Sequence, residues 1–577
     1  MKKLLTTIVS LKFFGSLVFT QLAEFTHNLN RRISKMKKLI TTIISLMFFG
    51  NLVFAQLTEF SMGDILSAGA MNQNFKYLEN RFGGIRETTV NCGTSGSGSG
   101  INSAIQNGYN SIVINGICKE NIKLDGREGN TPRLLKLRGA NNDYTKDKII
   151  DNSSYTDHVV NVLFNGIVVT IDNLTLSGGI RTVRSWGPNI FRMENVKVDD
   201  YKQRGIHMTE GSVIDGYNII IDGTNSSADS NERGMWLGLQ SYGWFENLQI
   251  SNNTWCGLCV WENSQTRLVG TNSFSGNGIG IYVGLASSLA NSSNITIDNS
   301  ADYGVHVKQG MVNSPVGFGV NGSITITNTT SGKAFNAWLS NIAISDLTAT
   351  GDGSTEESLV VINQSSSIFE NLNISNSAND GIESDQSVIH FDKLTAKNNQ
   401  GDGIDASRTN LTVNNSTISD NNGNGIVLHN VSNLTLNSSI VSSTNDISIF
   451  ASRGSFFDVK GTSVISSTNK EAIKIDHNSS GRIQSGANVT STASNNGWGV
   501  WIRKGGLIEI NSGSTIDGNS SAGSIKGDLG AKIDIDYGAT VQSVLCGNDN
   551  QTMVILNGSS GNYPTPTIGS NCITVKY

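Results

Sequence analysis

From Thr88 onward, aliphatic residues recur at every second position in short runs bounded by Gly, Asn, Ser or Asp. One set of runs starts on a small residue: "GIHM" at Gly205, "GMWL" at Gly234, "GLCV" at Gly257, "GIYV" at Gly280 and "GVHV" at Gly304. After an irregular patch come "GIES" at Gly381, "GIDA" at Gly403, "GIVL" at Gly425, "AIKI" at Ala472 and "GVWI" at Gly499. Neighbouring anchors are mostly 22 to 24 residues apart. Between them lie further alternating runs such as "NLQISN", "NITIDNS" and "NLTVNNS". Period two marks strands with one buried face, and no stretch here has the 3.6 period of a crossover helix. Gly and Asn beside each run are expected to supply the left-handed backbone angles of tight corners. Strands that return in register every two dozen residues without helices predict a coil stacked on itself.

That pattern resembles the right-handed parallel β-helix repeat family, whose "NNxGxGI" signature is similar to "NNQGDGI" (Asn398–Ile404) and "NNGNGI" (Asn421–Ile426). The resemblance covers roughly Thr88 to Tyr537 and implies an all-β chain, a single solenoid of about a dozen coils. At ~4.8 Å per coil that is a rod on the order of 60 Å long. The resemblance does not by itself imply an activity, because the fold hosts lyases, hydrolases, epimerases, adhesins and phage spikes.

The expected layout is a secretory leader at 1–55, a short helical segment at 56–87, the β-helix at 88–537 and a C-terminal cap at 538–577. "GINSAIQNGYN" (Gly100–Asn110) reads as a short amphipathic helix covering the open end of the core. "AGAMNQNFKYLENRF" (Ala68–Phe82) is a second helix candidate and resembles a segment found ahead of β-helices in exported and tail-fibre-like proteins. That resemblance implies chain association, so a homo-oligomer is an expectation. The leader is doubled: "MKKLLTTIVSLKFFGSLVFT" is followed by "MKKLITTIISLMFFGNLVFA". Each copy has a lysine pair, an apolar run and a small-residue end, the layout of a signal peptide. Neither run is long enough for a membrane span. Only the second ends on "VFA", so 36–55 is read as the working signal and the protein as secreted or held at the cell surface.

Removing 1–55 takes away eight basic residues and one acid, leaving 34 Lys/Arg against 46 Asp/Glu, a net charge of −12. An acidic exported chain is a poor partner for nucleic acid phosphates. Its six cysteines fit disulfides. Cys92 and Cys118 lie one coil apart near one end, and Cys546 and Cys572 near the other. Cys256 and Cys259, in "TWCGLCVW", look like a redox motif. However, a strand rather than a helix follows them, and no proline stands between them. They read as a structural pair on one rung, and two cysteines alone fall short of a zinc site.

In each "G-in-out-in" motif the third residue should face solvent, which gives His207, Trp236, Cys259, Tyr282 and His306, then Glu383, Asp405, Val427, Lys474 and Trp501. Trp261 and Lys308 stand two positions further along, and Arg204 and Arg233 lead in. Aromatic faces stack on sugar rings, and Arg and His bond hydroxyls or carboxylates. Arg204, His207, Arg233, Trp236, Trp261, Tyr282, His306 and Lys308 are therefore candidate binding residues for a polysaccharide or cell-surface glycan. On the next coils Asp380 stacks near Asp402 and Glu383 near Asp405. These four carboxylates are candidate Ca²⁺ ligands, since like charges so close repel without a cation. "DGID" (Asp402–Asp405) resembles the calcium-binding rung of β-helix pectate lyases. That resemblance implies, as an alternative function, a Ca²⁺-dependent polysaccharide lyase or related carbohydrate enzyme. Such a lyase also needs a basic residue by the metal, and Lys397 and Arg408 are the nearest candidates. The paired Asp and Gly-His-Gly motifs of polygalacturonases are missing, as is the Asp-Pro-His-Glu run of alginate epimerases.

Overall fold

Two hydrogen-bonded ladders run through the described residues, and every strand pairing in them is parallel. The computed structural model describes residues 84–577, apart from 129–130, 165, 225–228, 314–321, 331–332, 354–356, 495–496, 520–522, 548–550 and 559–562. The doubled leader and the Ala68–Phe82 helix candidate lie outside the described residues. Ile85–Tyr577 form one structural unit.

The first ladder stacks 19 strands in chain order, from Ile122–Asp125 to Thr567–Ile568. The solenoid thus has about 20 turns rather than the expected dozen, and roughly 90 Å of length at ~4.8 Å per coil. The shortfall has a simple cause. Thr182, Leu359, Ser448 and Ser524 occupy the position sought as an anchor glycine, so those coils carry no glycine signal. The coils also continue past 537: Ser543–Cys546, Met553–Asn557 and Ile573–Lys576 each pair with the coil before.

The second ladder carries the "NLxI" runs. In the N-terminal half its strands are long and bend at a left-handed asparagine, at Asn173, Asn195, Asn218 and Asn247 (φ 52–59°). Asn195, Asn218 and Asn247 each donate from Nδ2 to the Oδ1 of the asparagine one coil earlier, at 2.9–3.1 Å. A buried serine row lines another corner, where the Ser241 and Ser264 N–H groups donate to the next coil's serine Oγ at 3.1 Å. Inside a third corner Asn253 donates to Asn277, and Asn399 to Asn421, at 2.9 and 2.8 Å. Turn polar groups are thereby satisfied from coil to coil without water.

The core is a continuous column of Ile, Val, Leu and Phe along the axis. The anchor glycines keep it narrow. Gly205, Gly234, Gly257, Gly280 and Gly304 do not have the positive φ expected of a corner residue. A Cβ on each would instead lie 2.6–2.8 Å from the carbonyl oxygen of the next coil's anchor. The glycines are there because of close approach between coils.

At the N-terminal end the predicted helix forms as α1 (Ile101–Gln106), burying Ile101, Ala104 and Ile105. The Glu120 carboxylate accepts hydrogen bonds at 2.8 Å from the backbone N–H groups of Gly100, Ile101 and Asn102, satisfying donors that the helix start leaves open. All three disulfides are present: Cys92–Cys118, Cys256–Cys259 and Cys546–Cys572. Among the described residues no helix is long and apolar enough to cross a membrane.

Candidate functional site

Register in the first ladder brings the predicted outward column together. His207 pairs with Trp236, Trp236 with Cys259, Cys259 with Tyr282, and Tyr282 with His306. The column continues through Asn336 and Val361 to Glu383 and Asp405. Leu258 and Val260 point into the core, as the alternation requires.

The column lies outside the coil, but it is not the solvent-facing stripe expected. His207 is 8% exposed, Tyr282 5% and Cys259 0%. Cys256, Cys259, Ile279 and Tyr282 form a second buried cluster, with Trp236, Trp255, Trp261 and Tyr303 packed on it. Large rings on neighbouring strands cover one another, and the disulfide fills the space beneath. The "CGLC" motif is therefore enclosed on a strand, consistent with a structural role.

The rings form a connected row. Trp236 lies 6.3 Å from Trp255 and 5.9 Å from Trp261, and Trp261 stacks 4.9 Å from Tyr282. Tyr282 stacks on His306 at 5.1 Å and 12°, and Tyr303 meets His306 edge-on at 4.6 Å. Lys308 sits 4.9 Å above Trp338, whose ring is exposed. Burial pushes the Tyr282 hydroxyl up to about 12. Burial, with Lys308 and Lys333, holds His306 down to about 4, so that ring is neutral at physiological pH.

Basic residues adjoin the row on its N-terminal side. Arg204 pairs in register with Arg181 and with Arg233, and His207 with Arg184. Trp236 lies between the guanidinium groups of Arg204 and Arg233, at 4.9 and 4.8 Å, and Arg233 also covers Trp255 at 4.2 Å. The Arg184 group lies 4.7 Å from the Trp186 ring and bonds His158 Nε2 at 3.3 Å. Arg204 donates to His207 Nε2 at 2.9 Å, which requires a neutral imidazole. Burial and the surrounding arginines press the His207 pKa far down, and they hold His158 down to about 4. Arg181, Arg184, His158, Trp186, Trp255 and Trp338 were not anticipated. The first three sit on coils whose anchor is Val159 or Thr182 rather than glycine. Trp255 precedes its strand, outside the outward column.

The four acids divide between two rows. Asp380 accepts from the backbone N–H of Asp402 at 2.6 Å, and Asp402 accepts from the Asn424 N–H at 2.5 Å and its Nδ2 at 2.9 Å. These two carboxylates tie one turn to the next. Glu383 and Asp405 pair instead in the outward column, where Asp405 faces His429 at 3.8 Å. Among the described residues no group of three or more His, Cys, Asp or Glu is arranged to hold a metal ion. Glu383 and Asp405 thus remain side by side on the outward column, with Asp405 Oδ1 buried and without a hydrogen-bond partner, while Asp380 and Asp402 are engaged by backbone N–H groups. Burial, then the repulsion of neighbouring acids, raises Asp380 to about 7 and Asp405 to about 6. The raised values mark the same crowding of carboxylates that the sequence pattern pointed to. The candidate bases are also elsewhere. Arg408 is paired with Asp385 through its Nε at 2.9 Å, and Lys397 lies on the second ladder between Ser375 and Ser419.

The family model for the right-handed β-helix region matches residues 178–346 and 358–521, more than half of the chain. The chain belongs to the right-handed β-helix family. No curated protein matches it. Among solved structures, one described as that of the PL6 family alginate lyase AlyGC aligns over 85% of this chain and 99% of that chain, at 10% identity and a TM-score of 0.20. Within this β-helix the face from Arg181 to Trp338 is distinguished from the rest of the outward column by its connected rings and clustered guanidinium groups.

Proposed function

We propose that this β-helix is an exported or surface-held protein that binds a polysaccharide along the outer face running from Arg181 to Trp338. The observation that carries the reading is the connected row Trp236–Trp255–Trp261–Tyr282–His306, laid across successive coils, with Trp261 partly open and an exposed Trp338 beyond it. Aromatic faces pack against the apolar faces of sugar rings, and a row spaced by the coil repeat suits an extended polymer. Half-buried rings already held by their neighbours lose little side-chain entropy on binding. A Ca²⁺-dependent lyase is the alternative, with Asp380, Glu383, Asp402 and Asp405 about the cation and Lys397 or Arg408 as the base.

Affinity electrophoresis of the secreted chain against a panel of soluble polysaccharides tests the reading. Wild type should be retarded by at least one polymer. Trp261→Ala and Trp338→Ala should each weaken that binding about five- to tenfold, in line with about 1 kcal/mol per aromatic contact. Unchanged migration of both variants in a polymer that retards wild type would move the site off this face.

A further inference from the structure

The four arginines at the N-terminal end of the face differ from the other cations of the outward column. Along that column, and just beside it, positive charge is generally answered by a carboxylate. Lys333 meets Glu357 at 3.0 Å, Lys474 meets Glu471 at 3.5 Å, and Lys526 meets Asp528 at 3.4 Å. Arg181, Arg184, Arg204 and Arg233 have no ion pair among the described residues. Their Nε atoms are buried and without a hydrogen-bond partner, and so is the Asn161 Oδ1 in register with Arg184. The acids whose charge reaches them, Asp229 for Arg233 and Asp157 and Glu210 for Arg184, form no ion pair with them, and Glu232 has both carboxylate oxygens buried and unpartnered. Clustered guanidinium groups repel one another and are costly to desolvate. Here stacking on Trp186, Trp236 and Trp255 and bonding to neutral imidazoles hold Arg184, Arg204 and Arg233 in place, with Arg181 in register beside Arg204. Those contacts leave fork donors free. An open polar cleft of about 290 Å³ adjoins two of them, Arg204 and Arg233, and is completed by Gln203, Asn231 and the Asp229 carboxylate.

We infer that this cluster is an anion subsite, and that the polymer bound by the face is an acidic glycan whose carboxylate or sulfate groups seat on Arg181, Arg184, Arg204 and Arg233. The inference rests on the polysaccharide reading and narrows it to a substrate class. Guanidinium groups suit planar or tetrahedral oxyanions because they donate two parallel hydrogen bonds. Successive arginines one coil apart would meet successive acidic groups, while the ring row downstream takes the sugar faces. The overall negative charge of the secreted chain makes the local positive patch selective: an acidic polymer is repelled everywhere except where it can be neutralised.

The test compares polygalacturonate, the same polymer after carboxyl reduction, and dextran sulfate with uncharged dextran, using the secreted chain. Arg181→Gln/Arg204→Gln and Arg181→Gln/Arg184→Gln are each checked for an intact melt, and Trp338→Ala serves as the control for the ring row. Wild type should bind a charged polymer at least tenfold more tightly than its uncharged counterpart, with affinity falling as salt rises. Each arginine pair should lose at least tenfold on the charged polymer with a shallower salt dependence. Trp338→Ala should weaken charged polymers while keeping the salt slope. Preference for carboxylated over sulfated polymer, or the reverse, identifies the acid group. If charged and uncharged polymers bind wild type equally, or the arginine pairs bind like wild type, the inference falls and the polysaccharide reading stands. If no polymer binds, the polysaccharide reading falls. The subsite is then judged by inorganic sulfate, which must raise the melting temperature of wild type but not of Arg181→Gln/Arg204→Gln for the anion site to survive.

Discussion

Glu232 precedes Arg233 in sequence, yet it is fully buried, and neither carboxylate oxygen has a hydrogen-bond partner. Burial raises its pKa to about 8. A raised acid is neutral in the fold while the unfolded chain releases its proton above the ordinary glutamate range. Stability is therefore highest below about pH 4.5 for this group and declines as pH rises toward 8. Glu232→Gln should flatten that decline and gain on the order of 2 kcal/mol near pH 8. Thermal melts of both proteins from pH 5 to 9 read it directly, and parallel curves would refute the burial cost. At this scale the sequence was informative wherever the alternation held. Leu258, Val260 and the outward order His207, Trp236, Cys259, Tyr282 follow from period two alone. What alternation cannot supply is how large side chains on adjacent strands fold over each other. Rings expected in solvent are therefore largely covered, and Trp255, one residue ahead of its strand, escaped notice.

The coil repeat was legible because each corner uses a small set of residues, but the reason for one of them was misread. The anchor glycines are required by the 2.6–2.8 Å approach a Cβ would make to the next coil's carbonyl, not by a left-handed turn. Gly257→Ala should therefore destabilise by about 2 kcal/mol, the range for overpacking in a close-packed site. Circular dichroism melts against Gly454→Ala would separate the two causes. Gly454 has φ 76°, and a Cβ there would meet only Val431 Cγ2 at an ordinary 3.9 Å, so its cost is backbone strain. A larger loss at Gly454 than at Gly257 would overturn the close-approach account. Coils whose anchor is Thr182, Leu359, Ser448 or Ser524 carry no glycine signal, which is why about 20 turns read as a dozen. It is also why Arg181 and Arg184 were not placed beside Arg204. The acidic rungs were found for a sound reason, since Glu383 and Asp405 do pair. Sequence spacing could not reveal that Asp380 and Asp402 turn away to accept backbone N–H groups.

Over the whole molecule, each coil touches only its neighbours, so stability is a sum of interfaces and the two ends are the places where a partner is missing. One end has α1, Glu120 and the Cys92–Cys118 bridge. The other has the Cys546–Cys572 bridge, with an outermost strand, Ile573–Lys576, that is largely exposed. Each bridge closes a loop of 26 residues, worth about 3 kcal/mol in the chain-entropy treatment. Cys546→Ser/Cys572→Ser should therefore speed hydrogen exchange in the last coils while leaving the Arg181–Trp338 face protected. Loss of protection at that face would mean the solenoid unfolds as a single block rather than from its end.

Because all strands of the ladder run parallel, the outer face has no internal symmetry. Travelling along it, the order is guanidinium cluster, ring row and then carboxylates, and reversing the direction does not restore it. A glycan is also directional, with chemically distinct ends. On the polysaccharide reading proposed above, the two lengthwise placements of a bound glycan are therefore inequivalent, and each copy would favour one direction of the polymer relative to its own axis.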